Sequence, residues 1–526
     1  MNKKSCLFIR PPFEGMGKYK PPHLGIASLY GYVKNRFPEI EFNFLDALVK
    51  HQTIEDIIFY IDKYRPDIIC FTVKTMQIDQ TKEIIELTKR IYSPIIICGG
   101  NHISVCPEDA INAGANYAII GEGELAFSKI LNCIIHPESE FSLNAIQDCN
   151  IITKNNLNLI KPKPKIELKG EQIPFPEWSI MNIPDYNENI HYNKSEKALP
   201  VMASRGCPFQ CDFCSTHLTW TPNVRYRNPT DVLMEIKQNI LKYGIDHIHF
   251  YDDNLMLNRK WLCDFLSLIE NEKIDFKWIC LSRPDIIIKN RDLLSRMKKN
   301  GCKGFELGFE TEDDELYSKM NKKNTKNTFK LAYDILIKEK FEMIEFLIMC
   351  FYEGETLCSL YKTYKQLNNY KKQSALFIKS RYFATPFPGT QYYEKVMRKG
   401  IDISKGNKHK YAIFLNYIPY SFIDSKMTGF DINKNTLNIQ LNFREINDII
   451  YKEEFDNITK TISNDYFCIL FNRLSEQGKT INQLCQKILE KVDNKVPIFA
   501  IYEYVGRLLE FSAEVGALHY NEDIFC

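Results

Sequence analysis

The stretch Arg205–Cys214, with the sequence RGCPFQCDFC, contains three cysteines at CxxxCxxC spacing, directly after the apolar run LPVMA at residues 199–203. Thiolates are the usual protein ligands of iron–sulfur clusters. Cys207, Cys211 and Cys214 can bind three irons of a [4Fe–4S] cluster, and the fourth iron is then left without a protein ligand. The spacing therefore predicts a cluster whose open iron can be chelated by a substrate or a cofactor.

A zinc site is the main alternative, because His217 follows Cys214 at a spacing that offers a fourth ligand. Structural zinc usually takes paired ligands from two separated knuckles. No second CxxC or CxxH pair follows in the sequence. Since 17 cysteines occur among 526 residues, a short spacing can also arise by chance, so a loop without any metal is a third possibility.

The residues around the cysteines add a resemblance. RGCPFQCDFCS at residues 205–215 closely resembles the signature of the radical S-adenosylmethionine (SAM) superfamily. The resemblance implies that SAM chelates the open iron through its amino and carboxylate groups, and that an electron then cleaves SAM to a 5′-deoxyadenosyl radical. It also implies an external electron donor such as flavodoxin or ferredoxin. In such enzymes the cofactor performs the difficult step and the protein positions it.

Composition sets broad limits on the fold and the partners. A chain of 526 residues should form two to four domains. The net charge of +2 gives no reason to expect nucleic acid as a partner. The cysteines are scattered in apolar runs and are typical of reduced thiols. The apolar run near the start is too short for a signal peptide, and no run approaches a membrane span. We expect a cytoplasmic protein.

Residues 1–135 alternate short β-rich runs with amphipathic helical stretches. This pattern predicts a doubly wound parallel sheet, that is, a Rossmann-like domain with helices on both faces. The predicted strands are Cys6–Arg10, Glu41–Asp46, Asp67–Thr75, Ile95–Gly99 and Tyr117–Gly121. The predicted helices are Leu24–Arg36, Ile54–Tyr64, Gln77–Ile91, Pro107–Ala113 and Glu124–Ile134.

Two glycine-containing loops follow strands of this domain, at residues 98–102 and 121–124. Ligands bind beyond the carboxyl ends of parallel strands, and glycine lets the backbone approach them closely. Ordinary turn chemistry explains either loop taken alone.

Taken together, these loops resemble a known domain. PPHLGIASLYGYV (21–33), LDA (45–47), FTVKT (71–75), GGNHIS (99–104) and GEGE (121–124) resemble the cobalamin-binding domain found ahead of many radical SAM cores. The spacing of 27 residues from Thr72 to Gly99 is part of this match. The resemblance implies cobalamin contacts from Thr72, Gly99, Gly100, Asn101, His102, Gly121 and Glu122.

The chain departs from that family at one loop. Many cobalamin domains carry a DxHxxG motif, whose histidine binds cobalt from below. Here the equivalent run is DALVKH at residues 46–51, with Leu48 at the histidine position and no glycine after it. Histidine ligation at that position is not available. His51 is the remaining candidate, although a lone loop histidine is more often solvated.

Residues 136–195 form a predicted linker. Pro162, Pro164, Pro174 and Pro176 argue against a helix, so we expect a small hairpin followed by an extended crossing segment. IPFPEW at residues 173–178 resembles the proline–aromatic stretch that precedes radical SAM cores. A rigid linker explains it equally well.

Residues 196–395 repeat the strand–helix alternation six times, which predicts a partial (β/α)6 barrel as the radical SAM core. Functional residues should gather at the carboxyl ends of its strands. The predicted strands end at Arg205, Tyr251, Ser282, Gly308, Phe351 and Ala384. The predicted helices are Thr230–Lys242, Trp261–Glu270, Leu293–Asn300 and Thr328–Lys338.

Charged residues follow three successive strands of this core: Asp252 and Asp253, then Arg283, then Glu310. The amino and sulfonium groups of SAM favour carboxylates, and its carboxylate favours a cation. A cap or a solvated loop is the ordinary explanation for any single acid. The resemblance implies that these residues contact SAM and that Phe213 meets its adenine. YDDN, GFELGFET, EGET and TPFPGT add to the likeness.

Residues 396–526 form a predicted, mainly helical C-terminal region. The tyrosine-rich run Tyr411–Phe422 either lines a substrate pocket or packs against the barrel opening. Cys468, Cys485 and Cys526 lie too far apart for a second cluster motif.

The resemblance as a whole is to cobalamin-binding-domain-containing radical SAM proteins of the class B methyltransferase-like type. It implies methylation of an unactivated carbon in a small molecule or natural-product intermediate, using a [4Fe–4S] cluster, SAM and cobalamin. A non-methylating cyclisation, rearrangement or oxidation is the alternative. Methylthiolation of RNA would require a second cysteine triplet and a terminal β-barrel, and neither is evident. A cobalamin or redox sensor without turnover is the non-enzymatic alternative.

Overall fold

The computed structural model describes residues 3–12, 20–137, 150–157, 168–188, 197–350 and 377–398 apart from 385, with isolated positions within 352–370 and 487–490. The predictions for the C-terminal region beyond residue 398, including Tyr411–Phe422, lie outside the described residues. The EGET run at 353–356 does so as well.

The first sheet confirms the predicted doubly wound domain. Its strand order is β2-β1-β3-β4-β5-β6, and β1 to β5 are parallel. The last strand pairs antiparallel to β5, so part of the expected linker hairpin belongs to this sheet. The strands are β1 (Lys4–Arg10), β2 (Ile40–Asp46), β3 (Ile68–Thr72), β4 (Ile95–Gly99), β5 (Tyr117–Ile119) and β6 (Ile151–Ile152).

Five helices cover the two faces of this sheet, and the sequence specifies their ends. Thr53 and Asp56 form a capping box at the start of the second helix, and Pro107 begins the fourth. The central strands β3 (IICFT) and β4 (IIICG) are apolar along their length because both faces are buried, whereas the edge strand β2 (IEFNFLD) exposes Glu41 and Asn43. The helices are α1 (Leu24–Val33), α2 (Ile54–Tyr64), α3 (Ile78–Ile91), α4 (Pro107–Ala113) and α5 (Glu124–Ile135).

Residues 168–188 form the extended crossing segment that the prolines predict. The Glu177 amide donates to the Ala27 carbonyl of α1 at 2.9 Å, and Trp178 is buried against the core. Further along, Asn187 bridges to Lys20 as an isolated pair of extended residues. The segment thus joins the edge of the first domain to the second sheet.

The second sheet confirms the predicted partial barrel. Six parallel strands follow the order β14-β13-β12-β11-β10-β7, and within the described residues β7 and β14 remain unpaired edges. A short antiparallel pair, β8 with β9, lies beside the first strand. The strands are β7 (Ala198–Val201), β8 (Ser204–Arg205), β9 (Arg225–Tyr226), β10 (His247–Phe250), β11 (Lys277–Ser282), β12 (Cys302–Glu310), β13 (Met343–Cys350) and β14 (Phe377–Phe383).

Helices pack on one face of this second sheet. Phe250 of β10 stacks edge-on against Phe265 of a covering helix, so the neighbouring His249 faces the barrel interior. None of the described helices is both long and apolar enough to cross a membrane. The helices are α6 (Thr216–Thr219), α7 (Pro229–Tyr243), α8 (Arg259–Glu272), α9 (Pro284–Lys289), α10 (Leu294–Lys299), α11 (Asp314–Lys319), α12 (Lys326–Lys338) and α13 (Gln391–Arg398).

Candidate cluster and cofactor site

The cysteine loop leaves β8 through a tight turn at Gly206. This glycine has φ +109°, and a Cβ there would lie 2.6 Å from the Asn223 carbonyl oxygen. Only glycine adopts this conformation in the available space. The turn directs the three half-buried cysteines towards the carboxyl ends of the barrel strands.

The three thiols share one environment. Burial, with smaller contributions from the nearby Asp253, Cys214 and Cys211, raises the pKa of Cys207 to about 11. Burial also raises the pKa of Cys211, which Lys322 and other cations oppose. The thiolate form that metal binding requires is therefore disfavoured here without a strong positive charge.

The spacing of the ligand atoms argues against zinc. A tetrahedral zinc site with 2.3 Å bonds holds its sulfurs about 3.8 Å apart. Within the described part of the chain, Cys207, Cys211, Cys214 and His217 contribute no group of three ligand atoms that lie within 4.8 Å of one another. Nε2 of His217 instead hydrogen-bonds to the Phe209 carbonyl. His217 is therefore not positioned as a fourth ligand beside the three thiols.

Asp253 lies beside the cysteines, whereas Asp252 accepts hydrogen bonds from the neighbouring residues Ala203 and Ser204. One oxygen of Asp253 accepts from Thr216 Oγ1 at 3.0 Å, and burial raises the pKa of this carboxyl group. Both oxygens of Asp252 are engaged within the protein: Oδ2 accepts from the Ala203 amide at 3.0 Å and Oδ1 from Ser204 Oγ at 2.5 Å. Burial raises the pKa of Asp252 to about 7.

Arg283 and Glu310 complete the charged rim. The Arg283 guanidinium lies 3.7 Å from the ring centroid of Phe209 in the cysteine loop. Glu310 adopts φ +59° and accepts from Lys322 Nζ at 2.5 Å. A non-glycine residue in this region of φ is strained, and such strain clusters at functional sites. The structure thus brings Asp253, Arg283 and Glu310 to the cysteine loop.

Phe213 lies between the last two cysteines and is partly buried against the core, and the prediction that it meets adenine stays a prediction. Its neighbour Asp212 anchors the loop: the side chain accepts from Lys395 Nζ at 2.7 Å and from the Tyr352 hydroxyl at 2.5 Å. Sequence reasoning missed Asp212, Lys395 and Lys322, because their partners are 12 to 183 residues away and follow no motif spacing.

A cavity of about 200 Å³ lies at the carboxyl ends of the first sheet, facing the core. Its wall includes six of the seven predicted cobalamin contacts: Thr72, Gly99, Gly100, Asn101, Gly121 and Glu122. Arg205, Thr219 and Trp220 from the cysteine-loop region form the opposite side. Apolar residues with a few polar groups line the space, as is usual for cofactor sites.

The structure places the seventh residue, His102, outside that wall. It is buried, with Nε2 3.0 Å from Asp109 Oδ2 and Nδ1 3.3 Å from Thr75 Oγ1. A different histidine, His23, lines the cavity, and its Nε2 lies 3.3 Å from Thr72 Oγ1. Sequence reasoning missed His23, although it lies in the PPHLG stretch. His51 is exposed at φ +52° and Leu48 is buried.

Glu122 also joins the two domains. Its carboxylate pairs with Arg205 Nη1 at 3.1 Å and with Arg225, while Glu124 pairs with Arg205 Nη2 at 2.6 Å. All four side chains are almost completely buried. The GEGE loop is therefore fixed to the residue that precedes the cysteine loop, and sequence reasoning contained no signal for this pairing.

A six-stranded parallel half-barrel, with a three-cysteine loop after its first strand and charged groups around its rim, defines a radical SAM protein. The family models agree. The B12 binding domain model matches residues 17–131, and the radical SAM superfamily model matches residues 201–367.

Relatives and solved structures place the chain more closely. A Pyrococcus horikoshii protein named as an uncharacterized methyltransferase is 26% identical over 436 residues, which cover 81% of this chain and 88% of that protein. The anaerobic magnesium-protoporphyrin IX monomethyl ester cyclase of Rubrivivax gelatinosus is 23% identical, covering 74% and 69%. The cobalamin-dependent SAM radical enzyme OxsB, solved with aqua-cobalamin and SAM, aligns with TM-score 0.64 at 14% identity, covering 99% and 82%. The chain thus carries a B12-binding domain followed by a radical SAM domain.

Proposed function

We propose that this protein is a cobalamin-dependent radical SAM methyltransferase that acts on an unactivated carbon of a small molecule or natural-product intermediate. The observation that carries the proposal is the position of the cysteine loop. Arg205 before the loop and Thr219 and Trp220 after it line the first-domain cavity. Thr216 donates to Asp253 of the barrel rim. The loop segment therefore contacts both proposed cofactor sites. In this proposal residues 1–135 bind cobalamin, residues 196–395 form the SAM core, residues 136–195 link them and residues 396–526 form a mainly helical C-terminal region.

The residues present fit these groups. Cys207, Cys211 and Cys214 would hold a [4Fe–4S] cluster. When bound, the cluster and SAM supply a radical that removes hydrogen from carbon, and cobalamin supplies a carrier for the methyl group. Asp253 and Glu310 would provide carboxylates for the amino and ribose groups of SAM. Arg283 would provide a cation for its carboxylate.

The chain's own side chains would position these groups. Trp220 covers the cavity from the core side, with the guanidinium of Arg205 5.0 Å from its ring centroid. Thr216 donates to Asp253 and contacts Cys214 Sγ at 3.3 Å, which links the loop to the rim. His23 and Thr72 offer the polar contacts of the cavity.

A non-methylating reaction with the same cofactors is the second candidate. It is favoured by the relation to the Rubrivivax gelatinosus cyclase, which matches this chain over 74% of its length. The two candidates differ in product mass. A substrate that gains one methyl group supports the first, and a product formed without that gain supports the second.

The test is an anaerobic preparation of the full chain with measured iron, sulfide and corrinoid. We expect about four irons per chain for a single cluster, bound corrinoid, and 5′-deoxyadenosine when SAM and a reductant (dithionite, or flavodoxin with its reductase) are added. Cys211→Ala should abolish all 5′-deoxyadenosine. Cys263→Ala, on a helix remote from the loop, is the matched control and should retain it.

Two outcomes would overturn the proposal. One zinc per chain with little iron would show that the loop is a zinc site. Full iron incorporation without formation of 5′-deoxyadenosine would indicate that the protein is a sensor and not an enzyme.

A further inference from the structure

Four polar residues lie inside the barrel, below the rim that the cofactors would occupy. His249 and Tyr251 come from β10 and its end, Glu306 comes from β12, and Glu188 comes from the crossing segment. Phe250 and Phe305 pack on the outer side of their strands, so His249 and Glu306 face inwards. His249 lies three residues before Asp252, about 10 Å deeper along the strand.

These side chains form a continuous hydrogen-bonded chain. Glu188 Oε1 accepts from the Tyr251 hydroxyl at 2.7 Å and from His249 Nδ1 at 3.2 Å. His249 Nε2 lies 3.2 Å from Glu306 Oε1. Burial by itself lowers the pKa of His249, but Glu306 and Glu188 outweigh it and raise the pKa to about 10. Both ring nitrogens therefore carry protons and donate to carboxylates.

The second oxygen of Glu188 has no such donor. Oε2 is buried and, among the residues that the structure describes, lacks any hydrogen-bond partner, while the side chain is only 2% exposed. Arg10 acts electrostatically on the neighbouring Tyr251, but its guanidinium is engaged by Asp46 at 3.3 Å and by the Pro21 carbonyl at 3.2 Å. An unpartnered buried carboxylate oxygen is costly, and it needs an explanation.

We propose that Glu188 Oε2 binds a cationic nitrogen of the substrate, a protonated amine or a guanidinium, inside the barrel. This inference rests on the proposed function only in naming the ligand as the substrate; the site itself does not depend on the reaction. Tyr251 and His249 hold the other oxygen and so fix the orientation of the carboxylate. A cationic nitrogen would donate a hydrogen bond to Oε2 and also compensate the charge of the carboxylate, whereas a neutral donor would only donate the hydrogen bond.

The experiment uses cluster-loaded full chain and two matched probe pairs: n-butylamine against 1-butanol, and agmatine against butyramide, at constant ionic strength. Melting temperature is recorded against probe concentration. We expect a saturable rise with the amine and guanidine probes, and no comparable rise with the neutral ones. Glu188→Gln should weaken the cationic response at least tenfold. Glu171→Gln, an exposed residue of the same segment, should leave it unchanged.

Equal responses to neutral and cationic probes, or an undiminished cationic response in Glu188→Gln, would refute the site. If Glu188→Gln does not fold, Glu188→Asp replaces it. This variant should bind the amine more weakly and still prefer it to the alcohol. Loss of the preference for the amine in the control Glu171→Gln would also refute the site. Production of 5′-deoxyadenosine is measured separately on wild type. If no 5′-deoxyadenosine forms but the protein still prefers the amine, the proposed reaction is rejected and the site is kept. If 5′-deoxyadenosine forms but the protein does not prefer the amine, only the site is rejected.

Discussion

Arg205 Nη2 lies 2.6 Å from Glu124 Oε1, across the boundary between the two sheets. Arg205 ends β8 and immediately precedes the cysteine loop, and Glu124 begins α5 of the first domain. Both side chains are about 5% exposed. Burial raises the pKa of Glu124, but Arg205 outweighs this effect and the net pKa is lowered. This pair is part of a buried network with Glu122 and Arg225 that holds the cluster loop against the cavity wall.

Arg205→Met should destabilise the protein by about 3–5 kcal/mol, because it leaves buried carboxylates without their partner. Urea unfolding measures the loss, and a double-mutant cycle with Glu124→Gln should give a coupling energy above about 1 kcal/mol. Lys237→Met, which breaks the exposed pair with Glu272, should cost less than about 1 kcal/mol. Equal costs for the buried and exposed pairs would contradict the proposed coupling.

A second prediction concerns the anchor of the cysteine loop. Lys395 Nζ lies 2.7 Å from the fully buried Asp212, although the lysine itself is 42% exposed. Lys395→Met should cost about 1–3 kcal/mol, because the carboxylate loses a charged donor. It should also speed the transfer of iron from the reconstituted protein to a chelator.

Lys319→Met is the matched control for this variant. Lys319 is also 42% exposed, but its partner Glu315 is exposed and one helical turn away. The control should change stability by less than about 0.5 kcal/mol and leave the rate of iron loss unchanged. The same rate of iron loss in both variants would show that Asp212 does not hold the loop.

Much of the fold could be predicted because its signals are local. Strand and helix runs alternate in both sheets, and glycines and prolines mark the ends of elements such as Pro107–Ala113 and Pro229–Tyr243. The cysteine loop has a fixed short spacing. Strand β6 did not follow from the sequence, because two residues, Ile151 and Ile152, carry no periodicity.

The site was predictable only where its residues follow strands directly. Arg283 and Glu310 satisfy that rule, and the parallel sheet brings them together. The partners of Glu122 and Asp212 come from elements that are distant in the sequence, so no motif spacing predicts them. The order of residues in a loop predicts where a residue lies but not where its side chain points. His102 lies at the predicted loop, but its side chain points to Asp109 and not to the cavity.

The pH dependence of stability should distinguish two histidines on the same strand. The folded-state pKa of His249 is raised to about 10, so its contribution is complete below the unfolded value of 6.5 and is lost as pH rises towards 10. His249→Gln should therefore remove stability at pH 6.5 and progressively less at higher pH. Urea unfolding between pH 6.5 and 9.5 measures the difference from wild type.

His247→Gln provides the opposite case. Burial lowers the pKa of His247, so this residue is neutral in the folded protein above pH 6.5. The difference between this variant and wild type should be constant from about pH 7.5 to 9.5 and change only at lower pH. A constant difference for His249→Gln as well would mean that its imidazole is uncharged between the two glutamates.

The last prediction tests the wall of the first-domain cavity at two adjacent glycines. Gly100 has φ +105°, and a Cβ there would lie 2.7 Å from both the nitrogen and the oxygen of Val73. Gly100→Ala should destabilise the first domain by about 1–3 kcal/mol through backbone strain alone, and it should reduce corrinoid uptake because Thr72 and Asn101 shift with the loop.

At Gly99 the nearest atom to a new Cβ is 3.9 Å away, so Gly99→Ala should leave stability within about 1 kcal/mol of wild type. Urea unfolding and the corrinoid bound after anaerobic loading with hydroxocobalamin measure both effects. If Gly100→Ala binds corrinoid as wild type does while losing stability, the loop supports the sheet but does not shape the cofactor site.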